Sequence, residues 1–192
     1  MERRPRILAS FVTSVLDGAD RSDRALGERV RARLSEADRA ALAASGPVSF
    51  VPVELDVAVT EALFAEAGEM RAREILRENL LVTFDAPILS SFVGGALRVL
   101  GRHPARLFGW SAKVWGQLYR DCGAIRFERT GETAGRPALA ELPACVAASR
   151  PYLSGMEAAL DASFALMDAE GSVRLAALDP AAGTATFELV WK

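Results

Sequence analysis

The fold is decided by the stretch SVRLAALDPAAGTATFELVW, residues 172–191. Its second half alternates apolar and polar residues, which places Phe187 and Trp191 on one face of an extended strand. Alternation with a period of two is typical of a half-buried strand, and Asp-Pro followed by Gly marks a turn. The stretch therefore predicts a β-hairpin of strands Ser172–Leu178 and Thr184–Trp191, joined by Asp-Pro-Ala-Ala-Gly.

Three segments before this hairpin complete a small sheet. Residues Ala124–Arg129 alternate, with Ile125 on the apolar face, and predict a strand. A weaker apolar run at Ala138–Val146 predicts a second strand, and the spacing of apolar residues over Tyr152–Ala169 predicts a helix. The order strand-strand-helix-strand-strand indicates a small antiparallel sheet crossed by one helix.

The residues before the sheet carry the three-to-four spacing of helices. Val48–Val53 is the exception, because the flanking prolines favour an extended connector or an edge strand. Short connections favour one domain, 1–192, in which a helical lobe (1–122) and a ββαββ subdomain (123–192) share a core. The fold class is therefore α+β, with an N-terminal multi-helix lobe. The predicted helices are Ile7–Leu16, Arg24–Leu34, one capped by Ser35, Leu55–Ala67, Arg71–Phe84, one beginning at Ala86, and Pro104–Cys122 ended by Gly123.

The composition is that of a protein without a charge-driven partner. We expect the protein to be cytoplasmic, because its first apolar stretch has the form of a helix and not of an export signal, and no apolar stretch is long enough to span a membrane. Of 192 residues, 51% are hydrophobic and 25% charged, and the net charge is -2. This balance predicts no binding to nucleic acid and no binding to a membrane. Cys122 and Cys145 are the only cysteines, and we expect them to be reduced.

The chain lacks the residue sets of common enzymes. His103 is the only histidine, so a Ser-His-Asp triad and a histidine-ligated metal would both need it. No carboxylate lies nearby in the sequence to orient its ring, and a helix cap or a surface position explains it instead. Two cysteines and one histidine fall short of a structural zinc site. Glu54 and Asp56 lie near a helix end, where the helix dipole explains them without catalysis. The sequence predicts no catalytic residue, no metal, and a protein that is not an enzyme.

Aromatic residues are the best candidates for a binding site. If the apolar face of the last strand meets the helices, the aromatic side chains converge. Two interpretations stay open: an ordinary core, or an apolar pocket for a small molecule. The pocket candidates are Trp110, Trp115, Tyr119, Tyr152, Phe187 and Trp191.

A basic stripe offers a second kind of site. Arg102 lies just before the helix that leads into the sheet, and Arg106 and Lys113 lie within it. The stripe is explained as a solvated helix face, as a phosphate-binding surface, or as an interaction surface for a protein partner. An exposed strand at Ala138–Val146 would further allow a homodimer through the sheet edge.

Three stretches resemble a known family: Gly95–Leu107, then Trp115–Tyr119 running into Gly123–Glu128, then Tyr152–Leu160 with the closing strand. They resemble an uncharacterised paralogous family expanded in myxobacteria. That family is distantly similar to the 4-vinyl reductase domain and to heme-nitric-oxide/oxygen binding (H-NOX) domains. The resemblance implies a helical lobe followed by a small antiparallel sheet crossed by one helix. Related domains with known roles bind small ligands or heme and act as sensors.

Two departures bear on heme. The heme-binding relatives use a Tyr-x-Ser-x-Arg motif, which the loop Glu128–Pro137 lacks, and their axial histidine lies inside the helix before the sheet, whereas His103 precedes it. The final strand also lacks the cysteines of the 4-vinyl reductase type. We therefore expect no cofactor and a sensory or regulatory module that binds an unknown apolar small molecule. The alternatives are a protein-interaction adaptor with a filled core and, third, a heme-based gas sensor that uses His103.

Overall fold

The computed structural model describes residues 4–85, 94–95, 98–99 and 101–192. The helix predicted to begin at Ala86 lies mostly outside them. The helices are α1 (Ala9–Ser22), α2 (Arg24–Arg33), α3 (Glu36–Ala43), α4 (Val53–Ala67), α5 (Glu69–Asp85), α6 (Pro104–Phe108), α7 (Ser111–Leu118), α8 (Ala144–Ala148) and α9 (Arg150–Ala165). The strands are β1 (Arg6–Leu8), β2 (Phe50–Pro52), β3 (Tyr119–Arg120), β4 (Ala124–Arg129), β5 (Ala134–Ala140), β6 (Gly171–Asp179) and β7 (Thr184–Trp191).

The main sheet has four antiparallel strands in the order β4-β5-β7-β6, with α9 between β5 and β6 in the chain. This confirms the α+β class and the order strand-strand-helix-strand-strand. As predicted, the apolar residues of β7 lie on its buried face: the side chains of Phe187 and Trp191 are at most 4% exposed. On the opposite face, Glu188 forms ion pairs with Arg136 and Arg174 of the neighbouring strands. The terminal hairpin therefore forms one wall of the core.

Strand β5 differs from its prediction. The sequence predicted Ala138–Val146, whereas β5 runs over Ala134–Ala140 and a short helix follows it. Pro137 argues against a strand in the sequence because proline has no backbone N–H to donate. In the structure Pro137 pairs with Phe127 of β4, and the pairing of β5 with β7 is interrupted beside it. Since β5 is an interior strand, the predicted exposed edge is wrong, and the edges are β4 and β6.

A second, three-stranded sheet lies within the helical lobe and was not predicted. Its order is β2-β1-β3, so β1 lies in the centre and Ile7 pairs with both Val51 and Tyr119. The predicted first helix, Ile7–Leu16, therefore begins later, at Ala9. Strand β2 is an edge strand, as the flanking prolines indicated.

The long helix predicted over Pro104–Cys122 is two short ones. The break falls between α6 and α7 at Gly109, and the chain leaves the helix at Tyr119 to form β3. Gly123 has φ +72°, so its predicted left-handed backbone is present, although it follows a strand and caps no helix. A Cβ on Gly123 would collide with the carbonyl oxygen of Ala140, which explains the glycine.

One contiguous hydrophobic cluster runs through the helices and the main sheet. Leu63 of α4, Leu153 of α9 and Phe187 of β7 are all fully buried in it. Among the described residues, the helices are too short or too polar to cross a membrane. The helices and the main sheet thus face each other across shared apolar packing, and the candidate site lies there.

Candidate functional site

A cavity of about 200 Å³ lies between the helices and the main sheet. Helices α1, α4, α5, α6, α7 and α9, strand β3 and the inner face of the sheet all contribute to its wall. The polar residues of the wall are few: Asp56, Thr60, Asn79, Ser111, Tyr119, Tyr152 and Ser163. The apolar residues are Phe11, Val15, Leu76, Leu80, Leu107, Phe108, Val114, Trp115, Leu118, Ile125, Leu139, Met156, Ala159, Leu160, Leu166 and Phe187, with Gly155 beside them.

Four of the six predicted pocket residues lie together on this wall: Trp115, Tyr119, Tyr152 and Phe187. The other two lie elsewhere. The ammonium group of Lys113 lies over the ring of Trp110, 4.2 Å from the ring centroid. The ring of Trp191 contacts the ring of His103 edge-on, with 6.4 Å between the ring centroids. The convergence of aromatic side chains therefore holds for the residues of α7, β3, α9 and the middle of β7.

Three buried polar groups of the cavity wall form a hydrogen-bonded chain. The hydroxyl of Tyr152 donates a hydrogen bond to Asp56 Oδ2 over 2.6 Å, and the hydroxyl oxygens of Tyr119 and Tyr152 are 2.9 Å apart. A phenol has one proton, so while Tyr152 donates to the carboxylate, Tyr119 donates to Tyr152. Asp56 is 2% exposed, Tyr152 4% and Tyr119 8%, so water replaces none of these bonds.

Burial changes how these three groups ionise. It raises the pKa of Asp56 to about 6, although the hydrogen bond from Tyr152 acts in the opposite direction. Burial, followed by the nearby Asp56 charge, raises the pKa values of Tyr119 and Tyr152 well above 10. The two tyrosines therefore stay neutral donors, while Asp56 changes charge near neutral pH.

A helix cap fixes the position of this polar chain. Ser149 begins α9, and its side-chain oxygen accepts a hydrogen bond from the amide of Tyr152. The same hydroxyl donates to Glu61 of α4 over 2.7 Å. Since Asp56 also belongs to α4, the cap ties together the two helices that carry the donor and the acceptor.

Sequence reasoning missed Asp56, although a signal existed. Asp56 is spaced three residues from Val59 and seven from Leu63, both fully buried, so it lies on the buried face of α4. A carboxylate at a helical core position is unusual unless it has a partner. The explanation by the helix dipole therefore gave too little weight to the periodicity around it.

Two residues of the wall each have a buried polar atom without a hydrogen-bond partner. Among the described residues, Ser111 Oγ and Trp115 Nε1 are the buried side-chain atoms that make no hydrogen bond. The Trp115 ring stacks on Tyr119 with 4.1 Å between centroids and 21° between planes. Both residues belong to the one face of α7 that lines the cavity.

The three residues of the predicted basic stripe are exposed. Arg102 forms an ion pair with Asp168, and Lys113 covers the Trp110 ring. Arg106 is exposed as well. None of the three lines the cavity.

The groups that could hold a metal lie apart. Within the described ranges, no three His, Cys, Asp or Glu side chains cluster as a metal site. His103 is exposed, and its Nδ1 accepts a hydrogen bond from the Ala105 amide over 3.2 Å, so it caps α6 as the sequence indicated. Burial raises the pKa of the Cys122 thiol to about 12, and both Cys122 and Cys145 are free.

The arrangement of a helical lobe packed on a four-stranded antiparallel sheet is found among solved structures. The neighbours of this chain are H-NOX domains. The Fe(II) unliganded H-NOX protein from K. algicida superposes with a TM-score of 0.67 at 9% identity, covering 97% of each chain. A mutant of the T. tengcongensis H-NOX gives 0.65 at 13% identity over 97% of this chain and 98% of that one.

A third structure, an oxygen-binding H-NOX domain related to soluble guanylate cyclases, gives a TM-score of 0.55 at 14% identity, covering 95% of this chain and 92% of that one. At these identities the likeness shows the fold. No protein-family model matches the sequence, and no curated protein matches it. The H-NOX-like fold is thus confirmed, while the resemblance to the myxobacterial family stays a prediction.

Proposed function

We propose that the chain is a non-enzymatic sensory module that binds a small, largely apolar molecule in the cavity. The observation that carries this proposal is the cavity itself: an apolar wall with a few fixed polar groups is the usual form of a small-molecule site. We also propose that the two lobes act as one domain, because the hydrophobic cluster runs through both. A ligand between the lobes would then contact helices and sheet at once.

The polar groups of the wall favour binding over chemistry. Among the described lining residues, Asp56 is the one carboxylate, and none is His, Lys or Cys, so the usual nucleophile–base pairs are missing there. Asp56 already accepts a hydrogen bond from Tyr152. The arrangement therefore orients a ligand more readily than it attacks one.

A cavity-filling variant tests this proposal. Ala159 lines the cavity on α9, so Ala159→Leu should fill part of it and abolish the ligand-induced rise in melting temperature. Ala165→Leu is the matched control, because Ala165 lies on the same helix, is exposed and does not line the cavity. The measurement is a thermal-shift screen of small neutral aromatic and aliphatic compounds. A screen without any shift in the wild type, or equal shifts in both variants, would contradict the proposal.

A heme-bound gas sensor is the second candidate, and the names of the neighbours favour it. They include an Fe(II) H-NOX protein, an oxygen complex and a study of heme distortion in the H-NOX family. The described residues of this chain do not fit heme. His103, the one imidazole of the sequence, caps α6 and does not line the cavity, and none of the described lining residues is an Arg or Lys that could pair with the propionates.

An absorbance spectrum separates the two candidates. We expect protein expressed with added heme precursor, or mixed with hemin, to show no Soret band after gel filtration. A Soret band that disappears in His103→Ala would establish the heme sensor instead. The control is Arg102→Ala, which changes an exposed neighbour and leaves the imidazole in place.

A further inference from the structure

The outer face of the main sheet carries a row of charges that alternate in sign. Glu128 of β4 lies opposite Arg136 of β5, and Arg174 of β6 lies opposite Glu188 of β7. Arg136 Nη2 and Glu188 Oε1 are 3.7 Å apart, which joins the two pairs across the centre of the sheet. Along the strand order β4-β5-β7-β6, the signs of this charge row are therefore minus, plus, minus, plus.

The charge row lies on an open surface. None of its four residues is buried, and the side chain of Arg174 is 71% exposed. Beside the row, the two central strands place the small residues Ala138 and Thr186 opposite each other. Small residues at the centre of the face leave room for a second sheet at the spacing of packed sheets, about 10 Å.

An alternating row is complementary to its own copy in one orientation. If two sheets pack face to face about a two-fold axis parallel to the strands, the rows run in opposite order, so β4 faces β6 and β5 faces β7. Glu128 then faces the partner's Arg174, and Arg136 faces the partner's Glu188. About an axis perpendicular to the strands and parallel to the sheet, each charge would face its like, which disfavours that arrangement.

We propose that the outer face of the main sheet binds a second copy of the chain as a two-fold dimer, through the charge row. The contact is small: four strands about 4.8 Å apart and about six residues long present about 400 Å² per copy. Stable complexes bury about 800 Å² per partner, so this dimer is weak and forms at high protein concentration. Because exposed ion pairs are screened by salt, it weakens further as the ionic strength rises.

The dimer does not depend on the proposed ligand-binding function. The inner face of the sheet contributes Ile125, Leu139 and Phe187 to the cavity wall, whereas the charge row lies on the outer face. Cross-strand pairing within one chain is the alternative explanation of the row. The two explanations predict opposite results when two charges of the row are exchanged.

The test uses this exchange of charges. Arg174→Glu would place like charges face to face in the dimer, because residue 174 then faces the partner's Glu128. The double variant Glu128→Arg/Arg174→Glu restores opposite charges across the dimer, but within one chain it leaves like charges beside both Arg136 and Glu188. Arg24→Glu is the matched control, because it makes the same change of charge on α2, where the Arg24 side chain is 89% exposed.

Sedimentation velocity of the full chain, from micromolar to near-millimolar concentration and at low and high salt, measures the dimer. Circular dichroism confirms that each variant is folded, and urea denaturation measures its stability. If Arg174→Glu does not fold, Glu128→Arg alone replaces it, because it places like charges face to face at the same contact.

We expect the wild type to dimerise, more weakly at high salt, and Arg174→Glu to weaken the dimer about 10-fold or more, since each dimer gains two like-charge contacts. The double variant should dimerise again although it is less stable in urea, and Arg24→Glu should dimerise like the wild type. A wild type that stays monomeric, or a double variant that dimerises no better than the single one, would contradict the proposal. So would a dimer that responds neither to salt nor to Arg174→Glu.

Discussion

Replacing Asp56 by Asn tests whether a buried carboxyl sets the pH dependence of stability. Asn keeps the size of the side chain and an oxygen that accepts from Tyr152, but it carries no charge at any pH. Burial raises the pKa of Asp56 from 3.8 to about 6 in the folded protein. The folded state thus holds this proton more tightly than the unfolded chain does.

The sign and size follow from linkage. The proton bound to the Asp56 carboxyl stabilises the folded state. Its contribution to the unfolding free energy is fully present below about pH 4 and is lost as the pH rises through 6. A shift of about two pH units corresponds to about 3 kcal/mol of unfolding free energy, of which about 1 kcal/mol is lost between pH 5 and pH 7. Asp56→Asn removes this term, so its unfolding free energy should gain about 1 kcal/mol relative to wild type over that interval.

Urea denaturation at pH 5, 6 and 7 measures the difference between the two proteins. The new amide can also change the unfolding free energy by an amount that is the same at every pH. This does not affect the test, because the test follows how the difference in unfolding free energy between variant and wild type changes with pH. Glu132→Gln is the control: it also removes one carboxyl group, but from an exposed loop position. A difference that stays constant from pH 5 to pH 7 would contradict the raised pKa of Asp56 in the folded protein.

Three further outcomes are expected from the structure. Tyr152→Phe removes the donor to Asp56 and should cost about 1–3 kcal/mol of unfolding free energy at pH 7 and less at pH 5, measured in urea. Gly123→Ala places a side chain at φ +72° and should cost about 1–3 kcal/mol, measured by thermal unfolding. Cys122, buried and with its pKa raised to about 12, should react with iodoacetamide more slowly than Cys145, as followed by mass spectrometry.

Each of these outcomes has a matched comparison. An equal loss of unfolding free energy for Tyr152→Phe at both pH values would show that the strength of the hydrogen bond does not depend on the charge of Asp56. Gly131→Ala controls for Gly123→Ala, because Gly131 has no positive φ and its added Cβ would make only an ordinary contact. Faster alkylation at Cys122 than at Cys145 would contradict the burial of that thiol.

The sequence predicted the parts of the fold that have a long periodic signal. The alternation through Phe187 and Trp191 located the terminal hairpin, because each face of a strand in a one-sided sheet must differ in polarity. The helix before it was found by its apolar spacing. In contrast, β1 and β3 have three and two residues, too few to show a period of two. Their pairing depends on contacts distant in the chain, which a local pattern does not contain.

The candidate site was predicted in part for the same reason. Apolar aromatics such as Trp115 and Phe187 lie on faces that periodicity identifies, so their convergence was foreseeable. Trp110 and Trp191 shared those patterns but lie off the cavity, since the helix breaks at Gly109 and β7 extends past the wall. The partnership of Asp56 with Tyr152 joins two distant helices, and only the packed structure shows it.

The central position of β1 in the small sheet has a consequence for how the protein folds. Ile7 pairs with Tyr119, so the position of this polar residue of the cavity wall depends on two segments from opposite ends of the helical lobe. Bringing such distant segments together costs loop-closure entropy, and contacts of this kind form slowly. Helices α1 to α5 are synthesised before Tyr119, so the central strand of this sheet stays unpaired on one side until Tyr119 arrives. The cavity wall is therefore completed late in synthesis.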